Sequence, residues 1–245
     1  MVNIDTVYQR VLALANKEQR GYITPLEFNL LANQAQMDVF EQYFYDINQN
    51  ERLPGNDRQY SDVEHILNEK ISAFEHEAEN WIPTIVGGGH NLPADLYRIG
   101  QIIYRENGRR YICEEVTTKE YTILQNSPLA GPTNKRPVYI RFRSLGQTSG
   151  VESGIRVYGD GGNILNTPIT ITYIKVPNKV EWGYDVINEM ALYQPATSVN
   201  FEHHPAEETE LVMKILELAG IVMNKPGLAQ LAGGEEIQKI QQEKM

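Results

Sequence analysis

Cysteine is nearly absent from this chain: Cys113 is the only one in 245 residues. A single thiol excludes an internal disulfide and any multi-cysteine zinc site. Long apolar runs are missing too. None approaches the roughly 20 residues needed to span a bilayer, so no membrane insertion is expected. The opening residues, Met1-Val2-Asn3-Ile4-Asp5, lack the basic-then-apolar profile of a secretory signal. Basic residues are the minority, 22 against 32 acidic, for a net charge of -10. Such a balance argues against a protein whose main task is to grip phosphate backbones.

What is present fits a folded chain of one large domain or two small ones, with 41% hydrophobic residues and 19 glycines. The first third predicts three helices. Ile4, Val7, Tyr8, Val11 and Ala15 form a stripe behind Asn3 as N-cap, with Gly21 placed to end the helix. Thr24-Pro25-Leu26-Glu27 is a capping box with proline at the first helical position. The helix it opens is expected to end near Asp46, before a polar loop from Asn48 to Arg58. Its apolar residues fall on two stripes, Phe28, Leu31, Ala35 and Val39 on one and Leu30, Met37, Phe40 and Phe44 on the other. A helix apolar on two sides must bury both. Ser61 to Glu64 is a second capping box ahead of Val63, Ile66, Leu67, Ile71 and Phe74.

After Pro83 and Gly87-Gly88-Gly89 the pattern changes to strands. Asn107-Gly108 between Gln101–Arg105 and Arg109–Cys113 is a strong hairpin signal. A short helix from Thr117 is followed by strands at Val138–Phe142, Ile155–Tyr158 and Ile169–Val176. Pro205 with Glu207 and Glu208 opens a last long helix carried by Leu211, Ile215 and Ala219, with Pro226 to break it and a short polar helix over Glu235–Lys244. The expectation is an α+β fold: helices 1–82, a mostly antiparallel β domain 83–180, and a segment 181–245 whose helix packs on the first three.

Each chemical motif fails at a required position. Phe74 to Asn80 holds a histidine, His76, on an expected acidic helix face, but the second zinc-protease histidine is replaced by Asn80. Asp46, Asn48 and Asn50 match the opening of an EF-hand, yet Glu51 and Asp57 stand where glycine and glutamate are needed. Neither Gly87-Gly88-Gly89-His90 nor Gly159-Asp160-Gly161-Gly162 continues as a phosphate loop. His203 and His204 are adjacent, so they project about 100° apart on a helix and form no metal face. Cys113 reads as a buried thiol, and Glu114 and Glu115 face opposite sides of a strand. No catalytic, metal or cofactor site is expected. Tyrosine dominates the aromatics, 14 against 6 phenylalanines and 2 tryptophans, which suits an interaction surface.

The stretch from Val7-Tyr8-Gln9-Arg10-Val11-Leu12 through Gly21-Tyr22-Ile23-Thr24-Pro25, continued by Glu27-Phe28-Asn29-Leu30-Leu31, resembles the opening of virion structural proteins of tailed phages. The relatives in question are the short-tailed marine and crAss-like groups. Leu92-Pro93-Ala94-Asp95-Leu96-Tyr97-Arg98-Ile99 is similar to the entry of the β domain in head-to-tail connectors. Pro137-Val138-Tyr139, Ile155-Arg156-Val157-Tyr158, Tyr173-Ile174-Lys175-Val176-Pro177 with Trp182, and Phe201 to Leu211 follow in the family's order. The resemblance implies a ring component of the neck or tail, assembled in the host cytoplasm and located in the virion. Its partners would be other copies of itself, the portal and neighbouring tail proteins, with genomic DNA passing through the bore. An acidic chain suits that passage, because a bore that must release DNA should not bind it tightly. The alternative is a peripheral virion module whose β domain reads a glycan or receptor.

Two sets of residues are the candidate interfaces. Phe40 and Phe44, on the second stripe of the long helix, are expected to meet a neighbouring subunit. Residues 1–80 are net -8, 81–180 net +5 and 181–245 net -7. Arg141, Arg143 and Arg156 are therefore expected on a basic axial face that meets an acidic neighbour.

Overall fold

A computed structural model describes residues 1–17, 23–52, 63–84, 88–127, 129–145 and 151–222. The fold is α+β, with five α-helices and ten strands among these residues. The chain divides into two units, one of residues 1–74 and 177–245, the other of residues 75–176.

In the helical unit, Asn3 caps α1 (Ile4–Lys17) by accepting from the Asp5 and Thr6 amides at 2.8 and 3.2 Å. Thr24 and Glu27 close the expected capping box on α2 (Pro25–Arg52): the Glu27 amide donates to Thr24 Oγ1, and the Thr24 amide to Glu27 Oε2 at 2.9 Å. α2 continues past Asp46 to Arg52, so Asp46, Asn48 and Asn50 lie on a helix and not in a loop. At 28 residues it is about 42 Å long. α3 (Val63–Ser72) packs on α2, and α5 (Glu208–Val222) packs on α1 and α2. The buried stripe of α2 is Phe28, Ala32, Ala35, Val39, Phe40 and Tyr43. Beside it runs a polar row at helical spacing. Asn29 accepts from the Trp182 amide at 2.8 Å, Asn33 accepts from the Val180 amide at 3.0 Å, and Gln36 donates to the Asn178 carbonyl at 2.8 Å. These side chains stand in for a strand partner at Asn178, Val180 and Trp182, while Glu181 pairs with the Val199 backbone.

A 3-10 turn, Pro205–Glu207, precedes α5, and exposed His204 accepts from the Ala206 amide. His203 is turned inward instead, fully buried beside Phe74 and Tyr43. Lys70 and Glu207 form an ion pair at 2.8 Å with both side chains nearly buried. The expected helix stop at Gly21, the Ser61 cap, the break at Pro226 and the polar helix over Glu235–Lys244 lie outside the described residues.

In the β unit, two four-stranded sheets enclose one core. The first has the order β1-β8-β3-β4: β1 (Glu75–Trp81), β8 (Ile169–Lys175), β3 (Leu96–Glu106) and β4 (Arg109–Ile112), all antiparallel neighbours. The second has the order β2-β7-β6-β5: β2 (His90–Asn91), β7 (Val151–Tyr158), β6 (Val138–Leu145) and β5 (Glu114–Glu115), with β5 parallel to β6. Ile99, Ile102, Tyr104, Ile169 and Ile171 of one sheet meet Tyr139, Ile155 and Val157 of the other. The hairpin turn is as the sequence predicts, with Asn107 at φ 51° and Gly108 at φ 76°. α4 (Thr118–Gln125), capped by Thr117 and Glu120, covers Val116, Val138 and Ile140 on the second sheet's outer face.

One element is not what its sequence suggested. Glu75 to Asn80 is strand β1, not an acidic helix face. Glu75 and Glu77 lie opposite Ile174 and Thr172, while His76 and Ala78 lie opposite Tyr173 and Ile171 on the core side. His76 stays exposed even so, and only Ala78 and Trp81 of the strand are half-buried, so no apolar period announces it. The units therefore meet at Phe74/Glu75 and Val176/Pro177, where the composition shifts had suggested 82/83 and 180/181.

Candidate functional site

Between Trp182 and Val199 the helical unit carries a two-stranded ribbon, β9 (Tyr184–Ile187) and β10 (Met190–Tyr193), where no element was expected from the sequence. Asn188 and Glu189 at its tip both have positive φ, 50° and 63°. That is the type I′ geometry, which normally selects glycine at the second place. With glutamate there, the usual sequence signature is lost. At its base, Tyr184 and Tyr193 stack on Trp182 with ring centroids 5.8 and 5.7 Å away. Trp182 is buried, rests on Tyr8 and donates from Nε1 to Asp5 at 2.9 Å. The ribbon is therefore anchored at its base.

Beyond that anchor its side chains are apolar and open to solvent: Val186 is 67% exposed, Ile187 53%, Met190 63% and Leu192 49%. Val186 lies on the tyrosine face and the other three on the opposite face. A strand pair with one wet side would alternate apolar and polar residues. This one is apolar on both, with charge only at Asp185 and Glu189. A ribbon of two strands alone is marginal in water, and clustered exposed apolar side chains mark an interaction surface.

The residues singled out from sequence are placed differently. Phe40 is not on a subunit interface: it is 0% exposed, edge-on to Phe44 and Phe74 at 5.2 and 5.1 Å inside the helical unit's own core. Phe44 is half-buried against it. The two stripes read from sequence are one broad stripe, because Phe40 follows Val39 and Gln36 around the same side. The exposed leucines of α2 are Leu26 and Leu30.

Nor do the three arginines share a face. In the β6–β7 ladder Arg156 lies opposite Ile140, and Arg141 opposite Ile155. Cross-strand partners point to the same side and neighbours to opposite sides. Arg141 is thus on one face of the sheet and Arg156 on the other, and the side chain of Arg143 lies outside the described residues. Arg141 is held by Glu115 at 2.7 Å, and the guanidinium of Arg156 lies 4.3 Å over the Phe142 ring. The basic character of the β region also dissolves at the structural boundary. β1 brings Glu75, Glu77 and Glu79 into the unit, so residues 75–176 carry 11 basic and 10 acidic side chains, net +1. The remainder of the chain is net -11.

The titratable groups around the β unit's pocket are committed to structure. A pocket of about 300 Å³ opens between α4 and β6, lined by Glu114, Glu115, Glu120 and Arg136 over Leu124 and Val138. Glu114 is paired with Arg136 at 3.2 Å. Glu115 binds Arg141 and accepts from Tyr139 Oη at 2.8 Å, and burial with this bond pushes the Tyr139 hydroxyl up to about 12. Glu120 closes the α4 cap, and the Thr117 amide and hydroxyl hold its carboxyl below the ordinary range. Burial pushes the Cys113 thiol up to about 12, so it stays protonated and unreactive at neutral pH. Among the described residues no three His, Cys, Asp or Glu side chains are grouped to hold a metal ion, and no helix is long and apolar enough to cross a membrane. No protein-family model matches the chain, and no curated protein matches it.

Proposed function

We propose that this chain is a structural subunit of a tailed-phage virion, a head-to-tail connector that closes into a ring, joins portal to tail and surrounds the exit path of the genome. Two lines support the reading. The sequence resembles connector proteins over most of its length. The observation that carries it is the β9–β10 ribbon, which presents Val186, Ile187, Met190 and Leu192 to solvent from a fixed base. Full burial of such side chains is worth roughly 1.5–3 kcal/mol each, and about half of that remains to be gained here on contact with a neighbour. The net charge of -11 on the helical unit and its associated segments suits a ring that lets DNA slide and does not hold it.

Electron microscopy of the purified protein should show closed rings, and mass spectrometry of purified virions should find the chain in stoichiometric amount. Ile187→Asp with Met190→Asp should abolish the rings while shifting unfolding stability by no more than about 0.5 kcal/mol, as ordinary for exposed positions. Rings that persist in this variant would remove the ribbon from the interface. Virions that lack the chain would remove the connector assignment.

A further inference from the structure

We infer that copies of this chain join head to tail through the two edges of the sheet β1-β8-β3-β4, the β4 edge of one copy adding to the β1 edge of the next. The inference deepens the ring reading above by naming its lateral contact, and it stands on three observations within the β unit.

First, β1 and β4 are the edge strands of this sheet among the described residues, and every neighbouring pair in it is antiparallel. Four strands that alternate in direction leave β1 and β4 antiparallel to each other. A second copy that simply continues the sheet therefore sets its β1 antiparallel to the first copy's β4. The joined sheet has no break in its ladder, and main-chain hydrogen bonds supply the affinity.

Second, the two edges carry opposite charge on the same sheet face. On the face turned away from the core, β1 presents Glu75 and Glu77, opposite Ile174 and Thr172. On the same face, β4 presents Arg110 and Ile112, opposite Arg105 and Ile103. Arg109 adds a second cation to that edge, and Ile112 is 64% exposed.

Third, these edge charges are unmatched among the described residues. Glu79 is paired with Arg105 at 2.8 Å, and Glu114 and Glu115 with Arg136 and Arg141. Among the described residues Glu75, Glu77, Arg109 and Arg110 have no ion-pair partner.

Charged edges ordinarily guard a sheet against uncontrolled pairing. Here the guard acts only between like edges. A two-fold pairing of β1 with β1 sets glutamates against glutamates, and β4 with β4 sets arginines against arginines. Only the head-to-tail join brings opposite signs together. Each exposed ion pair adds little affinity, so its weight lies in selecting the partner edge. A head-to-tail contact repeats from copy to copy and closes into a ring when its rotation permits.

The test is a charge swap in the full chain, read by native mass spectrometry. Glu75→Lys with Glu77→Lys makes both edges basic, and Arg109→Glu with Arg110→Glu makes both acidic. Each variant alone should assemble at least tenfold more weakly than the wild type, with an unchanged circular dichroism spectrum. An equimolar mixture should recover oligomers in which the two variants are present in equal number. The neutral Glu75→Gln with Glu77→Gln should weaken assembly and flatten its salt dependence without adding any repulsion. A wild type that stays monomeric or stops at dimers would overturn the inference. So would single variants that assemble normally, a mixture that stays apart, or neutral variants with wild-type salt dependence. The swap reports only on this contact: rings that ignore it leave the connector reading standing, and a working swap in a protein absent from virions leaves the contact standing.

Discussion

Phe40→Ala is expected to lower the stability of the helical unit by about 3–5 kcal/mol, the usual cost of emptying a buried phenylalanine site. The side chain is fully buried between Phe44 and Phe74, on elements that come together only in the folded unit. α2 is fixed by its Thr24–Glu27 cap and by the Asn29, Asn33 and Gln36 bonds to residues 178–182, so the backbone has little freedom to fill the space. Phe44→Ala should cost less, because that ring is already partly in solvent. Phe40→Asp should unfold the unit, since a carboxylate forced into this apolar core is very costly. The chain has two tryptophans, and a Trp81→Phe background leaves Trp182 as the sole fluorescent reporter of the helical unit. Urea unfolding followed at Trp182 measures the loss directly. A Phe40→Ala protein as stable as the wild type but unable to oligomerise would restore Phe40 to a subunit interface.

The helix starts were legible because their signals are local. Asn3, Thr24 with Glu27, and Thr117 with Glu120 are side chains that satisfy amides three or fewer residues away, and each forms the bond its spacing predicts. Asn107-Gly108 is local in the same sense. The misjudged features depend on residues far apart in sequence. β1 is a strand because Ile174 and Thr172 lie beside it, about a hundred positions on. Phe40 is a core residue because Phe74 completes its surroundings.

Candidate surfaces were less legible than the fold. Which arginines share a face is a matter of ladder register, and a shift of one residue inverts it. Nothing in Arg141, Arg143 and Arg156 reveals that Ile140 and not Arg141 sits opposite Arg156. The segment charges were a sum over boundaries, and moving three glutamates across one boundary and Lys179 across the other takes the β region from net +5 to net +1. The ribbon had a trace in the sequence: Val186-Ile187 and Ala191-Leu192 flank Asn188-Glu189. Its tip lacks the glycine that makes such a trace persuasive.

Acid should destabilise the helical unit through one buried histidine. His203 is fully buried beside Phe74 and Tyr43, and burial is the main cause that lowers its pKa from 6.5 to about 4. Glu210, Glu202 and the Gln36 backbone favour the charged ring, while the N-terminal ammonium opposes it, and burial prevails. Between pH 6.5 and about 4 the unfolded chain therefore binds a proton that the folded chain refuses. Stability is complete above pH 6.5, falls as the pH drops through this window, and loses no more from His203 below about 4. At about 1.36 kcal/mol per unit the full loss is about 3 kcal/mol, a large part of a typical domain's stability. The Glu27 carboxyl, held low by Thr24, contributes its own loss only under its ordinary value of 4.5, so the upper part of the window belongs to the histidine. His90 is shifted down by burial in the same direction, but it lies in the β unit, away from Trp182. Urea unfolding of the Trp81→Phe protein at pH 7, 6 and 5 should therefore show a steady decline at Trp182. His203→Phe retains an aromatic ring against Phe74 and has nothing to protonate, so its stability should be nearly flat over the same range. An equal decline in both proteins would place the acid sensitivity on another group.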